Sequence, residues 1–157
     1  GGPLDGLGVD TWGVDFGLLG PSGEMVGLPV HYRDPRTNGW VERLYGTVPQ
    51  AEVFAATGIQ TMQINTLFQL AALAERSPKL VEAAKTLLFI PDLLHWCLTG
   101  RADAEITVAS TSQMWDATRG RWASGILERL GIPTHLLPDV LPDGTLYGPL
   151  LADGVPA

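Results

Sequence analysis

The chain has 157 residues, the length of one ordinary domain, and 45% of them are hydrophobic, which suits a folded globular protein and argues against intrinsic disorder. Its formal net charge is −7 with no Lys/Arg cluster to offset it, which sets aside the nucleic-acid backbone as a partner. No apolar run approaches the roughly 20 residues of a membrane-spanning helix, no signal segment opens the chain, and the single cysteine, Cys97, excludes an internal disulfide, so no membrane partner and a cytoplasmic location are expected.

In chain order, residues 7–12, Leu-Gly-Val-Asp-Thr-Trp, read as a short apolar strand ending at Gly13. Residues 14–19 and 25–30 flank Gly20-Pro-Ser-Gly23 and predict a hairpin. A polar loop follows over residues 32–39. Thr47-x-x-Gln50 has the form of a capping box opening a helix through Ala56, stopped by Gly58. Asn65 is placed to cap a second helix, with Leu67, Leu70, Ala71 and Ala74 on one face, and Ser77-Pro78 starts a third. Residues 86–90 predict a buried strand, and Pro91 opens a helix that buries Leu93, Leu94 and Leu98 and ends at Gly100. After a mixed segment over residues 105–114, a helix is expected over residues 122–130, closed by Gly131; Asp143-Gly144 and Asp153-Gly154 mark turns. Strands, hairpin, helices, strand and helices in this order make an α/β organisation.

Several chemistries have no support. The sequence lacks a Gly-x-x-x-x-Gly-Lys-Ser/Thr phosphate loop, a third glycine at dinucleotide-binding spacing after Gly6-x-Gly8 and a Gly-x-Ser-x-Gly elbow, and His31, His95 and His135 lie too far apart for a zinc motif. Asp10 and Asp15, five residues apart across Gly13, form the best carboxylate pair, placed to reach one crevice; solvation at a strand end is the ordinary account of such residues. Asp92 sits at a helix start, where the macrodipole favours a negative charge. The five tryptophans share no spacing, and core packing is their default.

Taken together, the segments resemble the N-terminal lobe of the FGGY carbohydrate kinases, and within that family the rhamnulokinase branch. The resemblance is carried by Gly8-Val-Asp-Thr-Trp-Gly-Val-Asp-Phe16, Pro29-Val-His-Tyr-Arg-Asp-Pro-Arg-Thr37, Thr57-Gly-Ile-Gln60, Asn65-Thr-Leu-Phe-Gln-Leu70, Pro91-Asp-Leu-Leu-His-Trp-Cys-Leu-Thr-Gly100 and Glu105-Ile-Thr-Val-Ala-Ser-Thr-Ser-Gln113, with Trp122 and Gly131-Ile-Pro133 completing the order. It runs from about residue 7 to about residue 148. Two departures stand out: Val108 where the family pattern has Asn, and Pro35 where it has Ser, both expected in loops on the sugar side.

The resemblance implies a partial actin-like, ribonuclease-H-like lobe lacking its first strands, taken from a kinase that transfers the ATP γ-phosphoryl group to a ketose with magnesium, L-rhamnulose being the favoured acceptor. It also implies that the phosphate-binding hairpin, the magnesium carboxylate and the catalytic base lie outside this chain. The partner is then the remainder of the kinase, and no catalytic or metal-binding residue is expected here. The absence of an initiator methionine agrees with a chain cut from something longer. What remains is one wall of the sugar pocket, with Gly13 as the substrate-contacting residue, Trp12 offering a ring to a sugar face, and Asn65 at a pocket position. Each has a structural alternative: backbone conformation for Gly13, core packing for Trp12, helix capping for Asn65. An FGGY kinase for another sugar or polyol, and a catalytically inactive sugar-binding or interaction module, are the competing readings.

Overall fold

The computed structural model describes residues 4–151; the Asp153-Gly154 turn falls outside them. At its centre, β1 (Phe16–Leu19) pairs antiparallel with β2 (Thr86–Phe89), Phe16 opposite Phe89 and Leu18 opposite Leu87. Successive strand side chains point to opposite faces. Phe16, Leu18, Leu87 and Phe89 accordingly belong to the larger core, while Leu19 and Leu88 pack with Leu93 and Trp96 on the other side. The pair is covered on both faces, which is why all four residues of β1 are buried. Gly17 permits this closeness: a Cβ there would lie 2.7 Å from Leu93 Cδ1.

The larger core is built around α3 (Thr66–Arg76), whose residues from Thr66 to Ala72 are all buried. A helix buried around its whole circumference sits inside the fold, not on its surface. Around it lie α1 (Trp40–Tyr45), α2 (Gln50–Thr57) and α4 (Pro78–Ala83). The opposite face carries α5 (Ile90–Thr99). The chain then forms β3 (Ala104–Glu105), α6 (Ile106–Thr111), the β4 (Trp115–Asp116) and β5 (Arg121–Trp122) pair, α7 (Ser124–Arg129) and β6 (Val140–Leu141), which lies parallel to β3.

The helix stops at Gly58, Gly100 and Gly131 stand as read, each glycine having left-handed backbone. Other readings need correction. Residues 7–12 form no strand: the segment makes no ladder, and Leu7 and Trp12 are exposed. An apolar pattern becomes a strand only where a neighbour supplies hydrogen bonds. The second arm of the hairpin is reduced to one bridge, Leu19 to Met25, with Val26 N donating to Leu18 O at 2.8 Å. The Thr47…Gln50 box does not form; α2 starts at Gln50 after Pro49, with no side-chain cap. Helix α1, for which no element is expected from the sequence, starts from Gly39 without a side-chain cap. Leu94 is exposed, because Leu93 and Trp96 face the sheet. Trp122 lies in β5, and its ring meets Trp115 edge-on at 5.3 Å. Val108 is in helix α6 and Pro35 opens a 3-10 turn, so neither is in irregular loop.

Candidate functional site

A crevice of about 310 Å³ opens where residues 9–13 pass α5 and α6, lined by Val9, Asp10, Thr11, Trp12, Gly13, Pro91, His95, Glu105, Thr107, Val108 and Thr111. Its floor follows from a tight turn. Asp15 N donates to Gly13 O at 3.0 Å, and the residue between them, Val14, has φ 69°. This is a γ-turn with a left-handed central residue, a rare and strained form, and a β-branched side chain at positive φ is a true outlier. The surroundings hold it: Thr66 Oγ1 and Gln69 Nε2, both on α3, donate to Val14 O at 2.8 and 3.2 Å. Strain of this kind gathers where a site needs a fixed backbone.

Gly13 itself is not left-handed. What the structure asks of it is smallness, since a Cβ would stand 3.2 Å from Thr111 Oγ1. That hydroxyl is already fixed by donating to Val108 O at 2.8 Å. Trp12 is 52% exposed and therefore not a core residue. Its Nε1 donates to Asp15 Oδ2 at 2.8 Å. The structure thus brings Gly13 and Trp12 to one crevice and leaves Asn65 out of its lining. Asn65 stands at the N-cap position of α3 without a side-chain capping bond. Only 1% exposed, it donates through Nδ2 to Gln60 O at 3.0 Å and Gln113 Oε1 at 2.8 Å. Asp10 reaches the crevice, but Asp15 is buried behind it, so the two carboxylates do not share one space.

On the far side, buried polar groups gather that sequence reasoning passed over. Asp92 is fully buried; its Oδ1 accepts from Glu105 N at 3.0 Å, and Oδ2 has no partner. Burial pushes its carboxyl up to about 7. The helix-start explanation for Asp92 is therefore incomplete, because here it also fixes the strand that carries Glu105. Glu105 caps α6 by accepting at Oε2 from Thr107 N and Val108 N, which leaves Oε1 buried and unpartnered. His95 stacks on Tyr147 at 4.3 Å, and burial lowers its pKa. Burial, then the charge of Asp92, holds the Tyr147 phenol up at about 12. The His95 Nδ1 and Tyr147 hydroxyl atoms are also buried without partners. The lining thus combines carboxylates, hydroxyls and an exposed indole, a set that can hydrogen-bond a polyhydroxy compound and cover an apolar face of it.

Residues 3–155 match the N-terminal domain of the FGGY family of carbohydrate kinases, and the chain belongs to that family. A rhamnulokinase of Yersinia pestis bv. Antiqua (strain Angola) is 46% identical over 132 residues, which cover 84% of this chain and 27% of that protein. Ligand-bound xylulose kinase from Lactobacillus acidophilus matches with a TM-score of 0.80 at 16% identity, over 90% of this chain and 29% of that one. Plasmodium falciparum glycerol kinase with ADP gives 0.79 at 15%, over 92% and 31%. These structural likenesses show the fold, which is the expected actin-like α/β lobe. The chain spans about a quarter of the length of the rhamnulokinases it matches.

Proposed function

We propose that this chain supplies the sugar-side wall of a cytoplasmic ATP-dependent kinase that phosphorylates a ketose, with L-rhamnulose the preferred acceptor in rhamnose catabolism. The observation that carries the reading is the crevice that brings Trp12 and Gly13 together against Thr111, Asp10 and Glu105. The rhamnulokinase relatives supply the choice of ketose. Phosphoryl transfer depends on holding the acceptor in line with the donor more than on covalent chemistry by the protein, and a wall that fixes the sugar is one part of that work. ATP and magnesium are the cofactors the family implies. Among the described residues no three acidic, histidine or cysteine side chains converge as a metal site requires, so neither cofactor is assigned to a residue here.

The test is a chimera of the Yersinia pestis rhamnulokinase in which this chain replaces the 132-residue stretch it matches. Coupled ADP release is measured with L-rhamnulose, D-xylulose, L-fuculose and glycerol. A kcat/KM for L-rhamnulose at least about tenfold above the others, worth about 1.4 kcal/mol, supports the reading. Preference for another acceptor reassigns the sugar, and a folded chimera that binds ATP but phosphorylates none of them overturns it.

A further inference from the structure

The exposed indole of Trp12 is held from behind by a buried polar chain. Its Nε1 donates to Asp15 Oδ2 at 2.8 Å, and Asp15 is only 2% exposed. Asp15 Oδ1 accepts from Gln69 Nε2 at 3.3 Å, and Gln69 is wholly buried on α3. Gln69 Oε1 accepts in turn from Arg36 Nη2 at 2.5 Å, while that nitrogen also donates to Val30 O at 3.2 Å. Arg36 is 8% exposed, and burial lowers the pKa of its guanidinium, offset only in part by the charges of Asp34 and Asp15. A buried carboxylate is costly unless hydrogen bonds satisfy it. This one spends an acceptor on a side chain that is half in solvent, where water would serve the indole equally well. What the bond adds is a fixed ring. The left-handed turn at Val14 folds residue 12 back over residue 15, which brings the two within reach.

We propose that Asp15 is a positioning residue that sets the Trp12 indole as the platform for the apolar face of a bound ketose, with Gln69 and Arg36 holding Asp15. This rests on the ketose reading above and deepens it. Fixing the ring in advance removes rotamer entropy that the sugar would otherwise have to overcome on binding. Asp15 touches no substrate in this account; its influence passes through Trp12.

Two readouts test it. The first is the indole N–H resonance of Trp12 in the ¹⁵N-labelled chimeric kinase, titrated with L-rhamnulose. It is expected downfield and slow to exchange with water, to shift as sugar is added, and to lose its protection in Asp15→Ala. The second is a double-mutant cycle in the chimeric kinase. Asp15→Ala should raise the ketose KM about tenfold, as loss of a charged hydrogen bond implies, with kcat and the ATP KM little changed. In a Trp12→Ala background the same substitution should add nothing to the ketose KM. Equal, additive effects in both backgrounds, or an indole N–H that keeps its protection in Asp15→Ala, would overturn the positioning role while leaving the ketose reading intact. A Trp12 resonance that shifts with no ketose, in a chimera that uses none, would remove both.

Discussion

Replacing Gly13 with valine in the chimeric kinase should raise the ketose KM strongly, leave the ATP KM nearly unchanged and lower the melting temperature modestly. The magnitude follows from the surroundings. A single added Cβ stands 3.2 Å from Thr111 Oγ1, 3.8 Å from its Cβ and 4.0 Å from its Cγ2. Thr111 cannot swing away freely, because its hydroxyl donates to Val108 O at 2.8 Å. Alanine asks for a shift of a few tenths of an ångström and should cost under about fivefold in KM. The two further carbons of valine enter a crevice of about 310 Å³. Steric intrusion into a packed site costs about 1–3 kcal/mol, which is about 5- to 150-fold in affinity. The contact with Thr111 exists without sugar, so the melting temperature should fall modestly; Gly13 is not in the left-handed region, and no backbone strain adds to it. The assay is coupled ADP release with each substrate varied in turn, together with a thermal melt. An unchanged ketose KM with a lowered melting temperature would refute the reasoning and return Gly13 to a structural role.

Two carboxylates make opposite contributions to stability as pH changes. Burial raises Asp92 to about 7, above its unfolded value, so the stability linked to it is complete below about pH 4 and is lost as pH rises through 7. Asp92→Asn, which can still accept from Glu105 N, should flatten the fall in melting temperature between pH 4 and 8; a parallel curve would contradict this. Asp116 is held down at about 2, first by the Thr118 hydroxyl and then by Arg119, so its contribution is present above about pH 4 and lost as pH falls through 2. The deficit of Asp116→Ala in urea melts should therefore shrink with acidification, and a deficit that grows would count against the assignment. Phe68, wholly buried on α3, should cost about 3–5 kcal/mol on truncation to alanine, read from the urea midpoint.

Much of the fold was legible because local signals and tertiary packing agree there. The apolar run at residues 86–89 is a buried strand, Pro78 and Pro91 stand in first turns, and Gly58, Gly100 and Gly131 end their helices. Readings failed where a partner decides the outcome. Residues 7–12 carry a strand pattern, but no strand among the described residues pairs with them. Asn65 was correctly placed at a helix start, yet its side chain turns to Gln113, 48 residues away. Of the candidate site, Gly13 and Trp12 were readable from the family motif, and the structure puts both at the crevice. The support behind them was not readable. Asp15, Gln69 and Arg36 are joined across separations of 54 and 33 residues, and nothing in a valine announces left-handed backbone at residue 14. Asp92 read only as a helix-start charge, because burial is invisible in a local motif.

The central claim is that a ketose lies in the crevice between Gly13, Trp12 and Thr111. A crystal structure of the chimeric kinase grown with L-rhamnulose tests it most directly. The account expects sugar density with one face against the Trp12 indole and a carbon within van der Waals contact of Gly13 Cα. Well-ordered sugar bound elsewhere on the kinase, with the Gly13–Trp12 crevice holding only solvent, would contradict it.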